Sequence, residues 1–215
     1  MINRSFAAAT LSCALVASVA AIVVPGEAEA KSPWMVRGRL IAVLPDEDAT
    51  VSILGGDVDI DTSIVPELDI TYFFDEHWAA ELILGVTPHE ITHKPSNIDL
   101  GSVWLLPPTM TLQYHFQPDD PDFRPYIGAG VNYTLFFGHD DADPVVRKAE
   151  FDPSFGFALQ AGVDIPIGGN WTLNVDVKKV WINTEATIDT TIPAVVRADV
   201  DIDPVIVGVG LGYRW

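Results

Sequence analysis

Val205-Ile206-Val207-Gly208-Val209-Gly210-Leu211-Gly212-Tyr213-Arg214-Trp215 closes the sequence and divides cleanly by parity. Val205, Val207, Val209, Leu211, Tyr213 and Trp215 make one apolar column that ends in two aromatics. The alternate face carries Ile206, Gly208, Gly210, Gly212 and Arg214. Successive side chains of a strand point to opposite faces. One face of this strand therefore suits an apolar surrounding, and the other leaves room for bulkier neighbours. The stretch from Arg124 to Phe137 repeats the pattern. Ile127, Ala129, Val131, Tyr133, Leu135 and Phe137 alternate with Tyr126, Gly128, Gly130, Asn132 and Thr134. Alternation this long is unusual for an ordinary run of core residues.

Working outward, eight segments carry the same period: Trp34–Leu44, Pro66–Phe74, His77–Val86, Leu105–Phe116, Arg124–Phe137, Ser154–Ile165, Asn170–Trp181 and Asp203–Trp215. Each reaches the roughly nine to eleven residues a tilted strand needs to cross a bilayer. Short turn-like connections (74–77, 117–123, 166–170) alternate with long ones (45–65, 87–104, 138–153, 182–202). The pattern predicts an all-β protein: an eight-stranded antiparallel transmembrane β-barrel with short periplasmic turns and long external loops. Within the last long connection, Ala186 to Ile192 goes on alternating beyond what a bilayer requires.

Residues 1–30 read as a cleaved secretory signal peptide. Arg4 supplies a basic start, Phe6 to Val24 is apolar apart from Thr10, Ser12, Cys13 and Ser18, and Ala28-Glu29-Ala30 precedes Lys31 as a small-x-small cleavage site. The barrel then occupies residues 31–215. Cys13, the chain's one cysteine, falls within the signal, so the exported part is expected to use no disulfide. After Lys31 no apolar run approaches the length of a spanning helix, although 48% of residues are hydrophobic and 20% charged. Alternate lipid-facing residues reconcile those two figures. The expected location is the outer membrane of a Gram-negative cell, reached through the periplasm.

The net charge is −18, and the acids crowd the connections: Asp46–Asp48, Asp57–Asp61, Asp119–Asp122, Asp140–Asp143 and Asp199–Asp203. With no basic patch, nucleic acid is not an expected partner. The acidic runs read as solvated loops that meet the anionic lipopolysaccharide surface; none has the spacing of a calcium loop. No cofactor is expected. A monomer suffices for such a wall, and a homo-oligomer is compatible with it.

Parity places charges inside. Arg37, Arg39, Lys178 and Arg214 share the inward face with Asp69, Glu81, Asp164 and Asp176, joined by His115 and Gln113. Four formal positives can pair with four formal negatives, as buried charges must. Toward the external end the inward residues turn apolar, at Ile41, Val43 and Ile83. Two readings follow: a polar plug that fills a small barrel, or a polar floor beneath an apolar funnel. A wide aqueous pore is excluded, because an eight-stranded interior holds only side chains or one small ligand. Trp34, Trp78, Tyr114, Trp171 and Trp215 fall at periplasmic strand ends and Trp104 and Trp181 at external ends, as interfacial girdles do. Lys179, outward near the external rim, has the reach to snorkel to headgroups. Pro107 and Pro108 remove two ladder donors inside the fourth segment. They imply a kink or a side opening between the third and fourth strands.

Other classes have weaker support. A soluble eight-stranded carrier would need polar outer faces. Ser154, His139 and Asp143 lie near one loop, but nothing fixes their separation, so an enzyme is not expected. His89 and His93 sit four apart without a helix to bring them together, so a metal site is not expected either.

Several stretches resemble the OmpW family of outer-membrane proteins, which includes AlkL-like channels for hydrophobic solutes. They are Val36-Arg37-Gly38-Arg39, Leu106-Pro107-Pro108-Thr109 running into Gln113-Tyr114-His115-Phe116, Arg124 to Thr134, Ala161-Gly162-Val163-Asp164, Asp176-Val177-Lys178-Lys179, Asp203-Pro204 and Gly212-Tyr213-Arg214-Trp215. The resemblance covers Lys31 to Trp215. It implies passive passage of small hydrophobic molecules through an external funnel, with sideways exit into the membrane. Ile83 is similar in place to a leucine that narrows the funnel, Lys178 stands where a tryptophan occurs, and the terminal aromatic is Trp where many members have Phe. The alternative function is a filled structural barrel, or a surface receptor or adhesion protein acting through its external loops.

Overall fold

A computed structural model describes residues 32–46, 48–51, 57–94, 98–140, 146–190 and 195–215. The signal-peptide reading of residues 1–30 lies outside the described residues, as does Asp143. Among the described residues fifteen strands follow in chain order: β1 (Trp34–Leu44), β2 (Asp48–Val51), β3 (Asp57–Ile60), β4 (Ser63–Phe73), β5 (Trp78–Gly85), β6 (Thr87–Lys94), β7 (Ile98–Leu106), β8 (Thr109–His115), β9 (Arg124–Asp140), β10 (Val146–Phe151), β11 (Ser154–Gly168), β12 (Trp171–Val180), β13 (Asn183–Thr190), β14 (Val195–Asp201) and β15 (Val205–Arg214).

Eight of them close a barrel. The order β1-β4-β5-β8-β9-β11-β12-β15 returns to β1, and every pair is antiparallel. Closure removes the sheet edges whose free N–H and C=O groups hydrocarbon could not satisfy. The remaining strands extend the wall beyond the membrane. β7 continues beside the upper part of β9 and carries β6 and β3 with it, while β10, β13, β14 and β2 form a separate four-stranded sheet. The long connections are thus largely strand rather than irregular loop.

The parity of the sequence survives intact. Val207, Val209 and Leu211 are 45–49% exposed on the outer wall, and Phe155 and Phe157 about two-thirds exposed. In water such a surface would be a liability; against acyl chains it is the required one. At the periplasmic rim, three cross-strand pairs meet edge to face: Trp34 with Tyr72, Trp78 with Tyr114 and Trp171 with Tyr213, at 4.7–5.0 Å between centroids. Each pair stiffens one barrel seam at the level where aromatic rings favour the headgroup layer.

The periplasmic turns are fixed by carboxylates. Asp75 Oδ1 accepts the N–H groups of His77 and Trp78, both at 2.8 Å, and Asp120 Oδ1 accepts those of Asp122 and Phe123. These bonds favour the charged form and hold both pKa values below the usual aspartate value. The β11–β12 turn instead uses Gly168 and Gly169, whose φ angles of 113° and 57° suit a residue without a side chain.

Inside, large and small residues are matched across strands. Arg37, Arg39 and Ile41 of β1 lie opposite Gly212, Gly210 and Gly208 of β15. A Cβ on Gly210 would run into the Gly38 carbonyl and the Arg39 side chain, so this seam closes only on glycine. The small column of β15 is what admits two arginines to a narrow lumen.

Candidate functional site

Three levels divide the lumen. Nearest the periplasm, Met35, Phe73 and Ala79 pack together. His115 stacks on Tyr126 and meets Phe73 at a 50° tilt, and its Nε2 lies 3.2 Å from Gln113 Oε1. Arg214 crosses this mouth, with its guanidinium 3.9 Å above the Phe73 ring and its Nε donating to the Ser32 carbonyl at 2.8 Å.

The middle level is ionic. Arg37 reaches Asp69 (3.2 Å), Glu81 (3.1 Å) and Asp164 (2.9 Å), and donates to Thr71 Oγ1. Arg39, one step higher, meets Glu67 (2.9 Å), Asp69 (2.6 Å), Glu81 (3.1 Å) and Asp176 (2.9 Å). Lys178 completes the top of the layer with Glu67 at 2.9 Å and Asp176 at 3.3 Å. Gln160 and Asn174 link the charges. Gln160 Nε2 donates to Glu81 and Asp176, and Asn174 Nδ2 to Asp164 and the Tyr126 hydroxyl. Arg37, Asp69 and Glu81 have no measurable exposure. Ions so enclosed need several partners each to offset their lost hydration, and here each arginine touches at least three carboxylates. The layer blocks the bore.

The upper level is apolar. Ile41, Val43, Val180, Ile182, Ile202 and Ile206 belong to a buried cluster that runs up into β3, β6 and β7. Between these walls and the ionic floor lies a cavity of about 40 Å³, lined among others by Ile41, Val43, Ile83, Leu105, Pro107, Glu67, Lys178, Thr87 and His89. That is well below the roughly 150 Å³ of an engineered cavity that binds benzene, so a solute must displace side chains to pass. The His89 Nδ1 lies 3.0 Å from the Asp61 carbonyl, and burial holds the ring's pKa below the ordinary imidazole value.

The wall has a seam beside this cavity. β5 and β8 pair as far as Ile83 with Thr109, and β6 and β7 resume at Thr87 with Leu105. Between those positions, residues 84–86 face residues 106–108 without ladder pairing. On its other side the same segment stays attached, since Tyr133 N donates to the Pro108 carbonyl at 3.1 Å. Pro107 and Pro108 supply no N–H donors to this stretch, and neighbouring residues of a strand face opposite edges, so Pro107 is the one that leaves the β5/β6 side without a donor.

Most inward assignments made from sequence meet in the site. Ile41, Val43 and Ile83 line one cavity, and Arg37, Arg39, Asp69, Glu81, Asp164, Asp176 and Lys178 form one network. Two corrections follow. Arg214 stands apart at the periplasmic mouth; among the described residues no carboxylate lies within ion-pair distance of it. Glu67 takes part instead, bridging Arg39 and Lys178. The four-to-four balance becomes three cations and five carboxylates. Glu67 has the same parity as Asp69, and that signal was present in the sequence. The fourth spanning segment also divides, with Leu105 in β7 and residues from Thr109 in β8. Ser154 Oγ is buried and accepts the Asn183 N–H at 3.0 Å, a structural bond.

Comparison with known proteins agrees with this architecture. The uncharacterized outer-membrane protein y4mB of Sinorhizobium fredii is 38% identical, over 98% of this chain and 92% of its own length. PahQ of Pseudomonas aeruginosa, a dibenzothiophene metabolism operon protein, is 30% identical over 86% of this chain and 90% of its own. The crystal structure of the outer membrane protein OprG from Pseudomonas aeruginosa superposes with a TM-score of 0.79 at 28% identity, covering 86% of this chain and 97% of that one. The OmpW family model matches residues 30–215. A closed eight-stranded wall, an apolar exterior and these matches together make the chain an outer-membrane protein of the OmpW family.

Proposed function

We propose that the barrel is a passive channel for small hydrophobic molecules, which enter the external funnel and leave sideways at the seam. The observation that carries this reading is the position of the unpaired stretch 84–86/106–108, at the level of an apolar cavity whose floor is closed by charge. A solute that leaves water for this cavity gains about 0.8 kcal/mol per buried CH₂. It then meets Arg39 and Lys178 with their carboxylates, so onward travel to the periplasm is opposed and the lipid side is the open direction. No chemistry or energy source is needed. The relative named for a dibenzothiophene metabolism operon is consistent with an apolar cargo.

The competing reading is a filled barrel that acts through its external sheets. The small cavity and the four-stranded assembly β10-β13-β14-β2 favour it. Uptake of a labelled alkane by vesicles with lipopolysaccharide in the outer leaflet separates the two. The intact protein should exceed protein-free vesicles, and Ile83→Trp should return uptake to background. Equal uptake by intact protein and variant counts against the Ile83 route; no uptake above background defeats the channel.

A further inference from the structure

Charge and polarity around the cavity carry information about its cargo beyond simple hydrophobicity. Lys178 is the cation that reaches the cavity, and it is already held between Glu67 and Asp176. Glu67 lines the same space. With Lys178 and Glu67 included, the network holds three cations and five carboxylates, so the floor is formally acidic. An incoming carboxylate would have to break existing pairs or stand beside like charge in a poorly solvated site.

The wall next to the seam is different. Thr87, His89 and Thr109 all line the cavity among isoleucines, leucine and proline. The Thr109 hydroxyl donates to the Pro107 carbonyl at 3.0 Å and accepts from Asn132 Nδ2 at 2.8 Å. The His89 Nδ1 is engaged by the Asp61 carbonyl and must therefore carry its proton there, which leaves Nε2 of the neutral ring as an acceptor. These uncharged groups flank the lapse in the ladder, with Thr87 at its upper edge and Thr109 at its lower edge. An alkane lying against His89 would leave Nε2 without a partner, whereas a hydroxyl would donate to it.

We infer that the funnel selects uncharged amphiphiles, molecules with an apolar body and one neutral hydrogen-bonding head such as an alcohol, and turns away carboxylates of equal length. This rests on the channel reading, and deepens it by naming a cargo class. The head travels along His89, Thr87 and Thr109 toward the seam while the apolar body slides past Ile41, Ile83 and Leu105.

The test uses radiolabelled 1-octanol, octane and octanoate at pH 8, with the full-length barrel in vesicles whose outer leaflet is lipopolysaccharide. Protein-free rates are subtracted. The expected order is octanol, then octane, then octanoate, with octanol about fivefold ahead of octane, as one neutral hydrogen bond allows. The double variant His89→Leu/Thr87→Val should bring octanol down to the octane rate, and Glu67→Gln should raise octanoate severalfold. Octanoate as fast as octanol through the unaltered protein would overturn the inference and leave the channel standing. So would an octanol-to-octane ratio that the double variant does not change. Should that variant fail to fold, the three rates through the unaltered protein still decide. If no probe exceeds protein-free vesicles, channel and cargo class fall together.

Discussion

The lower and upper halves of the lumen are cut from the same strands, yet they solve opposite problems. On β1, Arg37 and Arg39 are followed at the next two inward positions by Ile41 and Val43; on β12, Asp176 and Lys178 give way to Val180. Below, charge and hydrogen bonds fill the bore and lock it. Above, branched apolar side chains leave a small space that can yield. Along β1 and β12 the pairing runs unbroken through both halves, so there the change from closed to yielding is made by side-chain chemistry within about two residues.

That contrast can be broken first at its ionic side. Arg39→Leu takes from Glu67, Asp69, Glu81 and Asp176 one of the cations they share in a dry lumen and should cost about 3–5 kcal/mol, seen as a lower urea midpoint for unfolding from lipid bilayers. One inward step higher, Ile41→Ala should cost about 2 kcal/mol, the low end for such truncations, because Ile41 already borders a cavity. The same change should speed alkane uptake, so the two neighbours would move stability and transport differently. A smaller stability effect is expected at the seam. Replacing Pro107 and Pro108 with Ala restores two donors, which should slow amide exchange at residues 84–86 and reduce uptake severalfold with little change in the midpoint. Smallest is Asp120→Ala, in an exposed periplasmic turn. Its folded-state pKa lies below the ordinary value near 3.8, so the stabilisation it gives is present above that pH and lost as pH falls through the lower folded value. The variant and the parent should therefore differ slightly at pH 7 and converge in acid.

Much of this was legible in the chain because a period of two admits no compromise: a residue on a spanning strand faces lipid or lumen. Arg37, Asp69, Glu81 and Asp176 could be placed inside on that ground alone. Parity says nothing about depth, however, and Arg214 was grouped with charges that lie further up the bore. Glu67 shows another limit. The segment read from Pro66 begins in the structure at Ser63, so Glu67 lies well inside β4 rather than at its end. The external strands were mostly hidden, since short polar segments such as Asp48–Val51 and Asp57–Ile60 gain their pairing from partners far along the chain. The two prolines marked where the wall is weak, but only the registers of β5 and β6 against β7 and β8 reveal on which side it lapses.

The seam between β1 and β15 has one more consequence. It joins Met35 to Arg214, and Ser32 N donates to the Trp215 carbonyl, so the most distant parts of the barrel sequence end up side by side. Pairings of such long sequence separation are slow to form. The cylinder is therefore expected to zip last along this line. A rearranged gene that starts in an external connection and links the old ends through a short periplasmic bridge would make that final stitch a local hairpin and hasten assembly.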